Sequence, residues 1–182
     1  MAINAPWTRS TWSDAGQIMM IVDPEVPTSE SVGQPLHGWY AQLAQSGDLG
    51  TAVEFMAHAM SRYDCVAWAT RSAISTGMID RGDPLVVAVL QWIDNPEDPL
   101  RRAAGDAAET VKKDTPAKLL CLGVWFSGGS LAPEGLAPVQ PPADACATLC
   151  AAALLVGAHA QADPDAALGQ IGQFGEAMLT AQ

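Results

Sequence analysis

Cations are what this sequence has least of. Nine Lys and Arg stand against 20 Asp and Glu in 182 residues, a formal charge of −11. A chain so poor in positive charge lacks the surface that draws a protein onto phosphates, which argues against a nucleic-acid partner. Charge of either sign is sparse, 16% of residues, while 49% are hydrophobic, so a chain disordered throughout is excluded too. Uninterrupted apolar runs are also missing. The longest, Ala145 to Ala160, is broken by Thr148 and His159 and falls short of the ~18 residues that a membrane span requires. No basic start precedes an apolar stretch of ~7–15 residues, so no export signal is expected and the location reads as cytoplasmic. Four cysteines, Cys65, Cys121, Cys146 and Cys150, occur without any C-x-x-C pair; reduced thiols serving as small core hydrophobes fit such a compartment.

What is abundant is alanine, 32 residues, and clear helix punctuation. Asp83-Pro84, Asp98-Pro99, Thr115-Pro116 and Asp163-Pro164 each place an oxygen-bearing cap before a proline that suits the first helical position. Leu49, Val53, Met56 and Met60 recur at helical steps, and Leu100, Ala103, Ala104, Ala107, Ala108 and Val111 form a small-residue stripe. Opposite that stripe, Arg102 with Asp106 and Glu109 with Lys113 stand at i, i+4, the spacing of a solvated face. The spacing predicts eight helices, over 36–46, 49–60, 63–76, 84–94, 99–113, 116–126, 142–161 and 164–179. The stretch Leu85 to Leu90 is β-branched enough for a strand, but no second strand exists to pair with it. The fold class is all-α, an irregular bundle or antiparallel array over residues 35–182 behind an irregular segment, 1–34. Residues 131–142, rich in proline, are expected to cross to the next helix in extended form.

Candidate chemistry is thin. Cys146 and Cys150 share a helix face, yet further zinc ligands would have to come from distant residues, so no metal and no cofactor are expected. The loop Ser127, Gly128, Gly129 and Ser130 follows a helix, and a helix C-terminus presents carbonyls, the wrong end for a phosphate or an oxyanion. Its expected role is capping. Asp94, Glu97 and Asp98 crowd a helix start, where carboxylates serve orphan N–H groups. His58 lies one helical turn after Glu54, a pair able to share a hydrogen bond and the one candidate polar site. Trp7, Trp12 and the apolar run Ile18, Met19, Met20, Ile21 and Val22 lie in the N-terminal segment, the natural candidates for anchoring a partner, since tryptophan is enriched in binding hot spots. The run itself reads as a short edge strand or a groove ligand.

Several blocks resemble an uncharacterised bacterial domain family of unknown function: Ala52-Val53, Phe55, Ala57 to Met60, Val66 to Ala69, Arg101 to Ala104, Thr115 to Ala117 and, most specifically, Trp125 to Pro133. Genes of that family lie near type VI secretion spike and effector genes, so the resemblance implies an accessory, adaptor or chaperone role. It carries no catalytic residues and covers residues 51–135 alone.

The reading that follows is a non-enzymatic, cytoplasmic protein-binding module whose partner is a secretion-system effector or spike component. The alternatives are a small hydrolase-like enzyme centred on His58, and a structural subunit that self-associates through its alanine-rich helices. All nine cations lie at or before Lys118. The chain beyond it, with five carboxylates and no Lys or Arg, is the end suited to a basic or apolar partner.

Overall fold

Alanine and glycine at helix contacts let backbones approach closely, and the computed structural model, which describes residues 6–24, 30–133 and 135–180, is built from helices packed in that way. Among the described residues there are nine and no strand: α1 (Ala15–Val22), α2 (Leu36–Ser46), α3 (Leu49–Ala59), α4 (Arg62–Ser75), α5 (Pro84–Asp94), α6 (Asp98–Glu109), α7 (Pro116–Trp125), α8 (Ala145–His159) and α9 (Pro164–Thr180). Helices α2 to α9 are the eight expected from spacing. The β-branched stretch 85–90 is helical, inside α5.

The added helix is α1. Asp14 caps it by accepting from the Gly16 N–H at 2.7 Å, and its other oxygen accepts from the Gly33 N–H, which closes the chain around the helix. Eight residues are too few to reveal a helical period, which is why Ile18 to Val22 reads as a strand or ligand in the bare sequence. Of the segment 1–34, residues 1–5 and 25–29 lie outside the described residues.

Most helix starts follow the punctuation. Side chains of Asp83, Thr115 and Asp163 accept from the N–H groups of Leu85, Lys118 and Ala166, and Ser61 does the same for Asp64 while donating to the Asp64 carboxylate, a reciprocal cap. The exception is α6. Asp98 is already inside the helix, and its carboxylate accepts from Arg101 and Arg102 instead of an orphan N–H. This helix also ends at Glu109, so Lys112 and Lys113 lie beyond it. Arg102 pairs with Asp98 at 2.8 Å rather than with Asp106.

Helix α8, the most apolar stretch of the sequence, is central: it touches α3, α4, α7 and α9. Cys146, Cys150, Ala151, Ala153, Leu154 and Ala158 are all buried. The alanine face of α6 is spent inside the chain, since Ala104 and Ala108 are buried and α6 packs on α5 and α7. The stripe is rotated from its expected place: Ala103 is exposed and Arg101 takes the inner side, 3% exposed. Residues 131–142 do not cross in extended form. The Leu131 N–H donates to the Val139 carbonyl at 2.8 Å and the Ser130 hydroxyl accepts from the Val139 N–H, so the segment doubles back as a closed loop. Gly135, at φ +83°, supplies the left-handed turn that this requires.

Candidate functional site

The N-terminal segment, the α3–α4 corner and the start of α8 enclose a groove of about 620 Å³. Trp12 forms one wall, tied down by its indole N–H, which donates to the His58 carbonyl at 2.8 Å. From α1 come Met20 and Ile21; from the corner, His58, Met60 and Arg62; from the head of α8, Asp144 and Ala147. Met20 is 65% exposed, a large apolar side chain held at the rim of a groove that already carries tryptophan and methionine.

The groove's polar groups have distinct states. Burial lowers the His58 pKa, and the nearby Asp144 carboxylate opposes that shift. Its imidazole makes no hydrogen bond among the described residues, to Glu54 included. Glu54 lies outside the groove lining, and its pKa is raised by burial and then by Asp48 and Asp23. Arg62 is committed to structure: its guanidinium donates to the carbonyls of Ser127 and Ala143.

The N-terminal residues therefore divide. Trp7 is 7% exposed and stacks at a tilt against Tyr40 and Phe55, with ring centroids 5.4 and 6.1 Å away. Ile18 and Met19 are also buried, and Val22 packs against the core. Trp12, Met20 and Ile21 are the three that line the groove. Spacing alone does not separate them, because the division depends on how α1 lies across α3. Arg62 and Asp144 are not marked by the sequence, since a lone Arg after a helix-capping serine and an Asp behind prolines carry no signal of their own.

Ser127, Gly128 and Gly129 do not share the groove with His58. They line another depression with Trp92, Glu97, Asp98 and Arg101. Phe126 closes α7, its N–H reaching the Leu122 carbonyl, and Gly129 takes φ +64°, where a Cβ would also stand 2.7 Å from Asp98 Oδ1. The free carbonyls at this end are satisfied by cations, as the helix dipole favours. Arg101 donates to the Trp125 and Ser130 carbonyls at 2.8 and 3.0 Å, and Arg102 reaches those of Ser130 and Ala132. Asp98 faces both guanidiniums, and hydrogen bonds from Arg102 and Arg101 lower its pKa.

Cys146 lies beside Cys150, and that hydrogen bond together with burial pushes its pKa up; burial takes Cys121 to about 12. Protonated, buried thiols are poor nucleophiles and poor ligands. Among the described residues no group of three or more His, Cys, Asp or Glu is placed to hold a metal ion, and no helix is long and apolar enough to cross a membrane.

No curated protein and no solved structure matches the chain. A family match does exist, and it extends past the blocks noted in the sequence to take in α8 with Cys146 and Cys150, and most of α9. It begins after Trp12, Met20 and Ile21, so the groove's N-terminal wall lies outside it. Residues 39–179 match the family of unknown function DUF6931, and the chain belongs to that family.

Proposed function

We propose that this chain is a non-enzymatic, cytoplasmic protein-binding module that seats an apolar, cation-bearing segment of its partner in the groove between α1, α3–α4 and α8. The observation that carries the reading is Met20 and Ile21 exposed beside Trp12 on one wall. Apolar side chains gathered at a concave site are the pattern of an interaction surface. Charge supports the choice of partner. Asp144 stands at the groove, and on α3 the Glu54 pKa is raised by burial and by the charges of Asp48 and Asp23. A Lys or Arg on the incoming segment would pair with Asp144, and the overall −11 would speed its approach. The finer reading, an accessory, adaptor or effector chaperone of type VI secretion, rests on the resemblance of the sequence blocks.

The test is co-purification of the intact chain with each protein encoded beside its gene, in parallel with a Met20→Glu, Ile21→Glu double variant whose helicity is checked by circular dichroism. One neighbour is expected to co-elute with the intact chain and to be lost with the folded double variant. Failure of every neighbour to co-elute, or retention by the double variant, overturns the proposal.

A further inference from the structure

A second pocket, of about 280 Å³, opens between α4 and α9 and shares no residue with the groove. Helix α4 contributes Trp68, Arg71, Ser72 and Ser75, α9 contributes Phe174 and Met178, and Arg9 reaches in from the N-terminal segment. Its polar groups are unusually uncommitted. The Arg71 side chain makes no ion pair or hydrogen bond among the described residues, whereas Arg9 is paired with Asp64 at 2.9 Å. Ser72 is 1% exposed and its hydroxyl has no partner among the described residues. One turn later the Thr76 hydroxyl satisfies itself on the Ser72 carbonyl at 2.7 Å; Thr70 of α4 also has an unpaired buried hydroxyl, but of the two only Ser72 lines the pocket. Phe174, 46% exposed, gives the other side of the pocket an apolar wall together with Met178.

A free guanidinium and an unpaired hydroxyl donor beside an apolar wall are complementary to a carboxylate attached to an apolar group. Arginine's planar fork matches a carboxylate with two parallel bonds, and a buried hydroxyl without an acceptor favours any ligand that supplies one. Size narrows the ligand further. Pockets for drug-sized ligands run from roughly 300 to 1,000 Å³; this one, at about 280 Å³, suits a small group such as the end of a chain. We propose that the α4–α9 pocket captures the C-terminal carboxylate of a polypeptide ending in an apolar residue, with Arg71 and Ser72 on the carboxylate and the terminal side chain against Phe174 and Met178. The inference is independent of the groove proposal.

The full-length, ¹⁵N-labelled chain would be titrated with N-acetyl-L-leucine, N-acetyl-L-leucinamide and decanoate, following the Trp68 indole N–H and the amides of Ser72, Ser75 and Phe174. The acid is expected to give saturable shifts and the amide to bind at least tenfold more weakly. Arg71→Gln, an exposed substitution that leaves the core intact, is expected to weaken the acid at least tenfold. Arg71→Lys should fall between, and Ser72→Ala should weaken binding severalfold. The Met20→Glu, Ile21→Glu variant should bind like the unaltered chain, which separates this site from the groove. No saturable shift with the acid, equal binding of the amide, an unchanged Arg71→Gln affinity or a preference for decanoate would each overturn the proposal.

Discussion

Arg101 lies with its guanidinium carbon 4.5 Å from the centroid of the Trp125 ring while the same guanidinium donates to the Trp125 backbone carbonyl at 2.8 Å. One side chain thus fixes both the ring and the main chain of the last residue of α7. Replacing Arg101 by Ala orphans the Trp125 carbonyl and leaves the Ser130 carbonyl to Arg102 alone, at about 1–3 kcal/mol for a buried group left unpaired. Arg101→Lys keeps the charge but cannot reach both carbonyls and the ring in one plane. Urea denaturation should show both variants less stable, the alanine variant by about 1–3 kcal/mol; a loss below about 0.5 kcal/mol would mean that the contacts are incidental.

Gly105→Ala addresses the same ring from the other side. A Cβ at 105 would stand 2.9 Å from Trp125 Cδ2 and Cε3, and the indole cannot retreat freely because Arg101 and Arg102 both lie near its ring. Alanine favours the helix by about 1 kcal/mol, while overpacking costs about 1–3 kcal/mol. The net effect expected in thermal melts is a lowered midpoint. A raised midpoint would show that the ring moves aside without cost.

Trp7 tests whether the N-terminal segment belongs to the core. Its indole packs against Tyr40 of α2 and Phe55 of α3, and truncation of a buried tryptophan costs about 3–5 kcal/mol. Trp7→Ala should therefore lower stability by an amount of that order, and deletion of the segment through Asp14 should do at least as much harm. A deletion variant with unchanged unfolding would make the segment a detachable tail.

His58 supplies a pH signature. Burial holds its folded pKa below the ordinary 6.5, against the opposing Asp144 charge. Between the folded and unfolded values the unfolded chain binds more protons, so stability rises with pH through that window. It is lost as pH falls from about 6.5. Asp144→Asn removes the opposing charge and should lower the His58 value further. Titration of the His58 ring-proton resonance measures both; a value above 6.5, or a rise on Asp144→Asn, contradicts the description of the groove.

Much of the helical frame is readable because its starts are written in local chemistry. Thr115-Pro116 and Asp163-Pro164 announce α7 and α9 within a residue or two, since cap and proline act on their own turn. Arg101 is opaque for the opposite reason. Its inward position depends on carbonyls 24 and 29 residues away, and a charged residue in an amphipathic helix is otherwise read as solvated. Helix α1 is opaque because tertiary burial of Ile18 and Met19, rather than its own period, stabilises it. The groove inherits that opacity: its N-terminal wall exists only once α1 has docked.

The closed loop after α7 has feet and a tip. Arg101 and Arg102 hold its first foot at Ser130, Arg62 holds its far end at Ala143, and the Leu131 to Val139 bond ties the neck. Gly135, Leu136 and Ala137 beyond that neck are exposed and carry none of those anchoring bonds. Length there is consequently decoupled from the bundle: a graft at this tip would travel with the protein as cargo without altering the register in which α7 hands the chain to α8.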